Sequence, residues 1–457
     1  MSRFLLLAFS VCALAADRPV IHTASEPELR RALALAGAIV ELPRGALLLH
    51  RPLEIPGAAK DLEIRAHPQG SVLTMAGDFQ GRAAMVASGV TNLRLTGFAI
   101  RGNRDTLRSN RYLPPGDTSF ADFYPDNGIL LLACSQVTLR GIALRDIRGF
   151  SVLVNASSGV TIEALEIEDC GTLNDRGRNN TTGGILLEDG SADFTVRRCR
   201  IRRVPGNAIW THSYQRSPRN RNGAIADNVI DTVARDAIQI GHATSVRVER
   251  NQGSNIGFPA AYVDTEGAGI PVAVDTGGNV DQSAYLENRF TGVNGQCIDL
   301  DGFHDGEVTG NSCVNRKPLE FYPNLHYGIV FGNTNPAMTP ARVLVSRNRI
   351  EGFAYGGVYV IGTEQRIVDN ELLDLNRAHC TGDVTRARCN YAADQPGLLR
   401  SGIYLGNTGG RPAETDGNVI RDNVVTGYGM DRWCIGSAPG VELARNTIAG
   451  NRCAAAQ

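Results

Sequence analysis

The chain has 457 residues, with 46 Lys and Arg against 47 Asp and Glu and a net charge of −1. That balance leaves no long-range field to gather nucleic acid or an anionic membrane, and beyond the first residues no apolar run is long enough to span a bilayer. With 51 glycines and only 6% aromatics, the composition suits a fold of many tight turns.

The first residues read as an export signal. Arg3 gives a positive start, residues 4–14 an apolar stretch, and Ala13-Leu14-Ala15 a small-x-small cleavage site. Residues 1–16 are therefore expected to be a signal peptide, and the protein to be secreted or periplasmic. Residues 17–457 are expected to form one domain, because a repeat architecture grows without a second core. Its cap is expected at about 17–45, where Ser25-Glu26-Pro27-Glu28-Leu29 opens a short helix through Leu35.

From there one pattern recurs: apolar-x-apolar-x-x-Asn-x-apolar. It occupies 246–251, 343–350 and 441–448, with earlier versions at 137–144 and 160–167 that carry an apolar residue in place of Asn. Its last apolar position falls at 100, 144, 167, 201, 230, 253, 290, 313, 350, 372, 425 and 448. The shortest intervals are 22 or 23 residues, and the longer ones are that period plus an insertion. Period-two alternation means strands, and repetition at this spacing means about 12 coils that stack the same strands into parallel sheets. Asn228, Asn251, Asn288, Asn311, Asn348, Asn370, Asn423 and Asn446 share one slot. A bend that tolerates a left-handed backbone suits Asn, and stacking at about 4.8 Å lets the amides form a ladder.

A second strand follows each marker, as in Gly128-Ile129-x-Leu131, Gly184-Ile185-x-Leu187, Cys297-Ile298-x-Leu300 and Gly402-Ile403-x-Leu405. Insertions at 101–126, 171–183, 257–268, 316–326 and 376–399 precede these strands, and others at 213–222, 333–341 and 407–417 follow them. Loops on both sides make walls, so the outward residues of the Gly-Ile strands become the floor of a groove. Early coils place Leu130, Leu132 and Leu153 there; later ones place Glu188, Trp210, His212, Gln239, Asp275, Asp299, Asp301, Tyr359 and Tyr404. Asp299 and Asp301 lie two apart on one strand, with Cα atoms about 6.6 Å apart. Such a separation suits an acid and a base with water between them, and Asp275, from the coil below, is expected to approach Asp301. These three are the expected catalytic residues. Trp210 is expected to be an exposed platform for a sugar ring. His212, Gln239, Glu188, His304, Tyr359 and Tyr404 complete the expected binding set.

Ten cysteines less Cys12 leave nine in the exported chain. Disulfides are expected at Cys380–Cys389 and Cys434–Cys453, while Cys170, at an apolar repeat position, is expected to be a core thiol. No cysteine–histidine spacing resembles a zinc site, and no metal ligands are assigned.

The strand order, with its Asn ladder before the third strand, resembles the pectate lyase-like superfamily over nearly all of residues 17–457. The resemblance implies an all-β fold, a right-handed parallel β-helix with a short N-terminal capping helix and a substrate cleft on the Gly-Ile strands. Asp275 followed by Asp299 and Asp301 is similar in kind to the catalytic set of polygalacturonases, three Asp residues on two adjacent coils. The acids here are Asp-Leu-Asp rather than adjacent, and neither a following Gly-His-Gly nor an Arg-Ile-Lys segment is present. Three activities stay open on this scaffold. The first is hydrolysis of glycosidic bonds in a polysaccharide. The second is elimination on a uronate polymer, with Arg316, Lys317 or His326 as base and Ca²⁺ held by the acids. The third is glycan binding at a surface without chemistry. Ca²⁺ belongs only to the second, and no other cofactor is implied. The partner expected in each case is polysaccharide, with no nucleic acid and no membrane.

Overall fold

The structure, a computed structural model, describes residues 18–104, 113–116, 118–214, 216–335, 338–390 and 395–455. The expected signal peptide and Cys12 lie outside the described residues.

Every pairing between its named strands is parallel; one isolated antiparallel bridge joins Thr408 and Pro412. One face is a sheet of 14 strands, and 28 more form two further faces. Those two faces are joined where the strands Ile238–Glu249 and Val272–Asp281 run around the corner without a break. The result is a three-faced parallel β-helix. Its 14-strand face holds two strands, Gly45–Leu49 and Ser71–Met75, ahead of the first sequence marker at Ile100. The capping helix spans Glu26–Ala32, shorter than expected, and buries Leu29 and Leu33 against the end of the barrel.

Residues of like kind stack in register. Ile129, Val152, Ile185, Ile209, Ile238, Val274, Ile298, Ile329, Val358 and Ile403 form one inner rank along the Gly-Ile face. Each is at most 1% exposed, and burying such a side chain stabilises by about 1.5–3 kcal/mol. β-branched side chains suit this face because they pack well on a pleated, fully covered sheet.

The Asn slot forms a continuous ladder. Each Oδ1 accepts from the backbone N–H and the side-chain N–H of the Asn one coil before, as between Asn228 and Asn251 (3.0 and 2.9 Å) or Asn311 and Asn348 (2.9 and 3.0 Å). Two expectations change here. The left-handed residue is the one before the Asn, such as Asp227, Arg250, Glu287, Arg347 and Asp369, so Asn serves for its amide alone. The last rung is Asn451, not Asn446, because Val425 pairs with Cys453 and Ile448 pairs with Ile420 on another face. Asn446 belongs to a second ladder at a different corner, where it accepts from Asn418, which in turn accepts from Gln365.

Cys380–Cys389 and Cys434–Cys453 are bridged, and Cys170 is a free buried thiol alongside Cys134 and Cys199. A third bridge, Cys297–Cys313, crosses the interior from the Gly-Ile strand to the 14-strand face. Peptide mapping of the unreduced protein is expected to return these three pairs, with alkylation at 134, 170 and 199 only after unfolding. Reaction of Cys297 in the folded state would contradict the interior bridge.

Candidate functional site

Strand register fixes the floor of the groove. Leu130, Leu153, Leu186, Trp210, Gln239 and Asp275 follow one another on adjacent coils. Val274 pairs with Ile298, so the next outward residue after Asp275 is Asp299, and then come Val330, Tyr359 and Tyr404. Asp275 therefore stands beside Asp299, not beside Asp301 as the sequence suggested. Asp301 lies next to Gly332 and is tied to Thr334, whose backbone N–H (2.7 Å) and hydroxyl both donate to it.

The walls come from the insertions. Gln239, Asp275, Asp299, Asp301, Val330 and Tyr359 open into a cavity of about 730 Å³ bordered by Ala268 and Gly269, by His326, Tyr327 and Leu398, and by Thr334 and residues 408–410. A recess of about 240 Å³ continues from it past Gln296 to Arg235 and Asp236. A second cavity of about 730 Å³, lined by Asp374, Arg377, His379 and Tyr428 among others, lies elsewhere and holds no comparable cluster of buried acids.

The acids influence one another. Burial, then Asp236 and Asp299, pushes the Asp275 carboxyl well above the usual carboxylate range, and burial, then Asp301 and Asp236, does the same to Asp299. Burial raises Asp236 to about 6, although the Arg235 guanidinium stands 3.5 Å away and the Val272 N–H donates to it at 2.9 Å. Burial also raises Asp301. Asp275 accepts a hydrogen bond from the Gln239 side-chain amide, whose oxygen is held by Asn207 at 2.7 Å. Asp299 Oδ1 is buried without a hydrogen-bond partner. Asp236 escaped the sequence reading. It occupies the slot two before the inward Ile, filled by Asn127, Asn207 and Gln296 in other coils, and a carboxylate among amides was the available signal.

Of the rest of the expected set, the structure brings only Tyr359 into the groove. Trp210 is 4% exposed, not an open platform. It packs edge-on to Phe120 (5.0 Å) in an outer apolar cluster with Val86, Leu130, Leu153, Leu186 and Phe150. The covering segment is residues 118–124, just before Asn127–Leu132, whose short helix Phe120–Phe123 lies over the floor of the early coils. Glu188 is fully buried beneath it and accepts the N–H groups of Phe120 and Ala121 at 2.9 Å each. His212 is wedged among Phe120, Trp210 and Tyr214, and burial pulls its pKa to about 4. Tyr404 is 1% exposed, stacked on Tyr359 at 6.1 Å; only Tyr359 reaches the cavity. His304 lies round the corner, paired with Asp281 across the strands Phe303–His304 and Val272–Asp281. Of the cations considered for elimination, Arg316 is exposed and Lys317 rests on the Phe321 ring at 3.8 Å, and neither lines the cavity. His326 does line it, with its pKa pulled by burial to about 4. Among the described residues no group of three or more His, Cys, Asp or Glu side chains is arranged to hold a metal ion.

Burial raises the Glu188 pKa to about 7 from an ordinary 4.5. A carboxyl raised on folding stabilises below its unfolded pKa, and the contribution fades as pH rises through the folded value. Stability is therefore expected to fall between about pH 4.5 and 7 by up to about 3 kcal/mol from this group. The Glu188→Gln variant should lack that slope; identical pH profiles in urea melts would count against it.

Two findings from known proteins complete the picture. The right-handed beta helix region family matches residues 97–277 and 279–457, and the chain belongs to that family. Solved structures of similar fold include PfbA, a surface adhesin of Streptococcus pneumoniae, at 14% identity and a TM-score of 0.56, covering 76% of this chain and 86% of that one. An exopolygalacturonase from Thermotoga maritima matches at 13% identity and a TM-score of 0.53, covering 78% and 92%. DFA-IIIase from Arthrobacter chlorophenolicus A6 matches at 14% and 0.52, covering 91% and 88%. At these identities the likeness is one of fold. No curated protein matches in sequence.

Proposed function

We propose that this protein is an exported glycoside hydrolase that cleaves its substrate in the groove by carboxyl acid/base catalysis. The observation that carries the reading is the side-by-side placement of Asp275 and Asp299 on adjacent coils, both half-buried and both raised, with Asp236 and Asp301 alongside. Like charges that close cannot all ionise, so the cluster keeps a proton at neutral pH. The Gln239 amide favours the charged form of Asp275, while Asp299 has one oxygen without a partner. Asp299 is thus the proton donor to the leaving oxygen, and Asp275 the ionised partner. Asp301, held by Thr334, keeps the 333–335 turn against the site. The three disulfides fit an oxidising compartment, and no helix among the described residues is long and apolar enough to cross a membrane.

A panel of plant, algal and bacterial glycans, assayed for new reducing ends and for unsaturated product together, tests this. Reducing ends without the unsaturated chromophore are expected. An unsaturated product would assign elimination instead, and binding with no product would assign a glycan-binding role.

A further inference from the structure

We infer that the groove admits a short, uncharged oligosaccharide or the uncharged end of a longer one, and not the interior of a uronate polymer; this rests on the carbohydrate reading above. The observation is that the floor is covered at both ends. Toward the N-terminus the Phe120–Phe123 segment seals the outward residues of the early coils as far as Trp210. It is fastened there by the two backbone hydrogen bonds to Glu188. Toward the C-terminus the helix Pro396–Arg400 does the same. The Leu398 carbonyl accepts from the Tyr327 hydroxyl, and Tyr404 is 1% exposed with its hydroxyl 3.3 Å from the Gln395 side-chain oxygen.

Between these covers the open floor runs only from Gln239 through Asp275, Asp299 and Val330 to Tyr359. Those are five neighbouring coils, a span of about 19 Å at 4.8 Å per coil. An open cavity of about 730 Å³ between the two covers fits a short ligand, and a polymer lying along the groove would have to enter and leave through the covered ends. A chain can reach the acids only by its terminus.

Charge sets the second half of the inference. Among the described residues, the main cavity is lined by three Asp side chains and no Lys or Arg. The one cation of the adjoining recess, Arg235, is shared between Asp236 at 3.5 Å and the Trp210 ring at 5.9 Å. A sugar carboxylate brought into the main cavity would be desolvated beside further carboxyl groups, and Arg235, in the recess, already faces Asp236, with its Nε lacking a hydrogen-bond partner. The polar groups along the cavity, the Gln296 amide, the second N–H of the Gln239 amide and the Thr334 hydroxyl oxygen, suit sugar hydroxyls.

The test uses the full chain and short uronic-acid oligosaccharides, each paired with its carboxyl-reduced neutral counterpart. Neutral gluco-, fructo- and galacto-oligosaccharides of graded length complete the set. Calorimetry reads binding, and product sizes at early times read the point of cleavage. The expected result is binding and cleavage of neutral members, release of short products from one end, and at least about tenfold weaker binding of each uronate than of its reduced partner. Uronates bound as well as their neutral partners, or mid-chain fragments at the earliest times, would overturn the inference and leave the carbohydrate reading standing. Failure of every member to bind or be cleaved would instead remove the carbohydrate reading, and this inference with it.

Discussion

Asp299→Asn is expected to lower turnover by about 10²–10⁴-fold, the usual effect of losing a positioned proton donor, and at the same time to make the protein more stable at neutral pH. The two effects have one cause. Asp299 is half-buried beside Asp301 and Asp236, and its carboxyl is held well above the ordinary range. A group raised on folding stabilises the fold only at pH values where the unfolded chain is also protonated, and its cost grows as pH rises through the folded value. An amide of the same shape cannot ionise, so the variant escapes that cost above the ordinary carboxylate range. Asp299 Oδ1 has no hydrogen-bond partner to lose, and Leu300, on the inward side of the same strand, is untouched. Asp301→Asn should behave differently, since one of its oxygens accepts the Thr334 N–H and the turn depends on it. Denaturant midpoints at pH 5 and pH 8, with initial rates on any substrate found, check the pair of effects. Unchanged rates would move the chemistry away from Asp299, and a loss of stability at pH 8 would show that the backbone N–H groups of Leu300 and Asp301 hold its carboxyl more strongly than burial opposes it.

Much of the architecture was legible because a solenoid repeats its own evidence. Any single run such as 246–251 is ambiguous, but seven Asn residues in one slot and an Ile or Val opening each following strand cannot be accommodated by a different pairing. The error in the last coil has a plain origin. Two corners of the helix use the same amide stacking, so Asn446 reads like a rung of the first ladder when it is a rung of the second. The groove floor was legible in parity and not in exposure. Trp210 and Glu188 do face outward from the barrel, as the alternation requires, yet nothing local reveals that residues 118–124 fold back over them. An outward acid on a β-helix strand looks the same in sequence whether it meets a substrate or two backbone N–H groups of a distant loop. The pairing of Asp275 with Asp299 needed the alignment of a coil whose strand, Val272–Asp281, continues past the corner, and that continuity is invisible in spacing.

Replacing Asn311 with Ala is expected to be the most damaging single change outside the groove, at about 3–5 kcal/mol. The side chain is 2% exposed and works in both directions. Its oxygen accepts the backbone and side-chain N–H groups of Asn288 at 3.0 and 2.9 Å, and its amide donates to the Tyr285 carbonyl at 2.8 Å and to Asn348 at 3.0 Å. Alanine leaves two donors on Asn288 and the Tyr285 carbonyl buried without these partners, each at a cost of about 1–3 kcal/mol. Water cannot replace them, because Asn288 and Tyr285 are themselves fully buried. The damage should also be local. Each coil rests on its two neighbours, and Asn311 closes the coil that carries Asp299 and Asp301, which Cys297–Cys313 tethers from within. Loss of substrate turnover is therefore expected at a lower denaturant concentration than loss of the far-ultraviolet β signal, whereas in the parent protein the two should coincide. Coincident transitions in the variant, or a midpoint equal to the parent's, would mean that sheet hydrogen bonds and core packing hold this coil without its ladder.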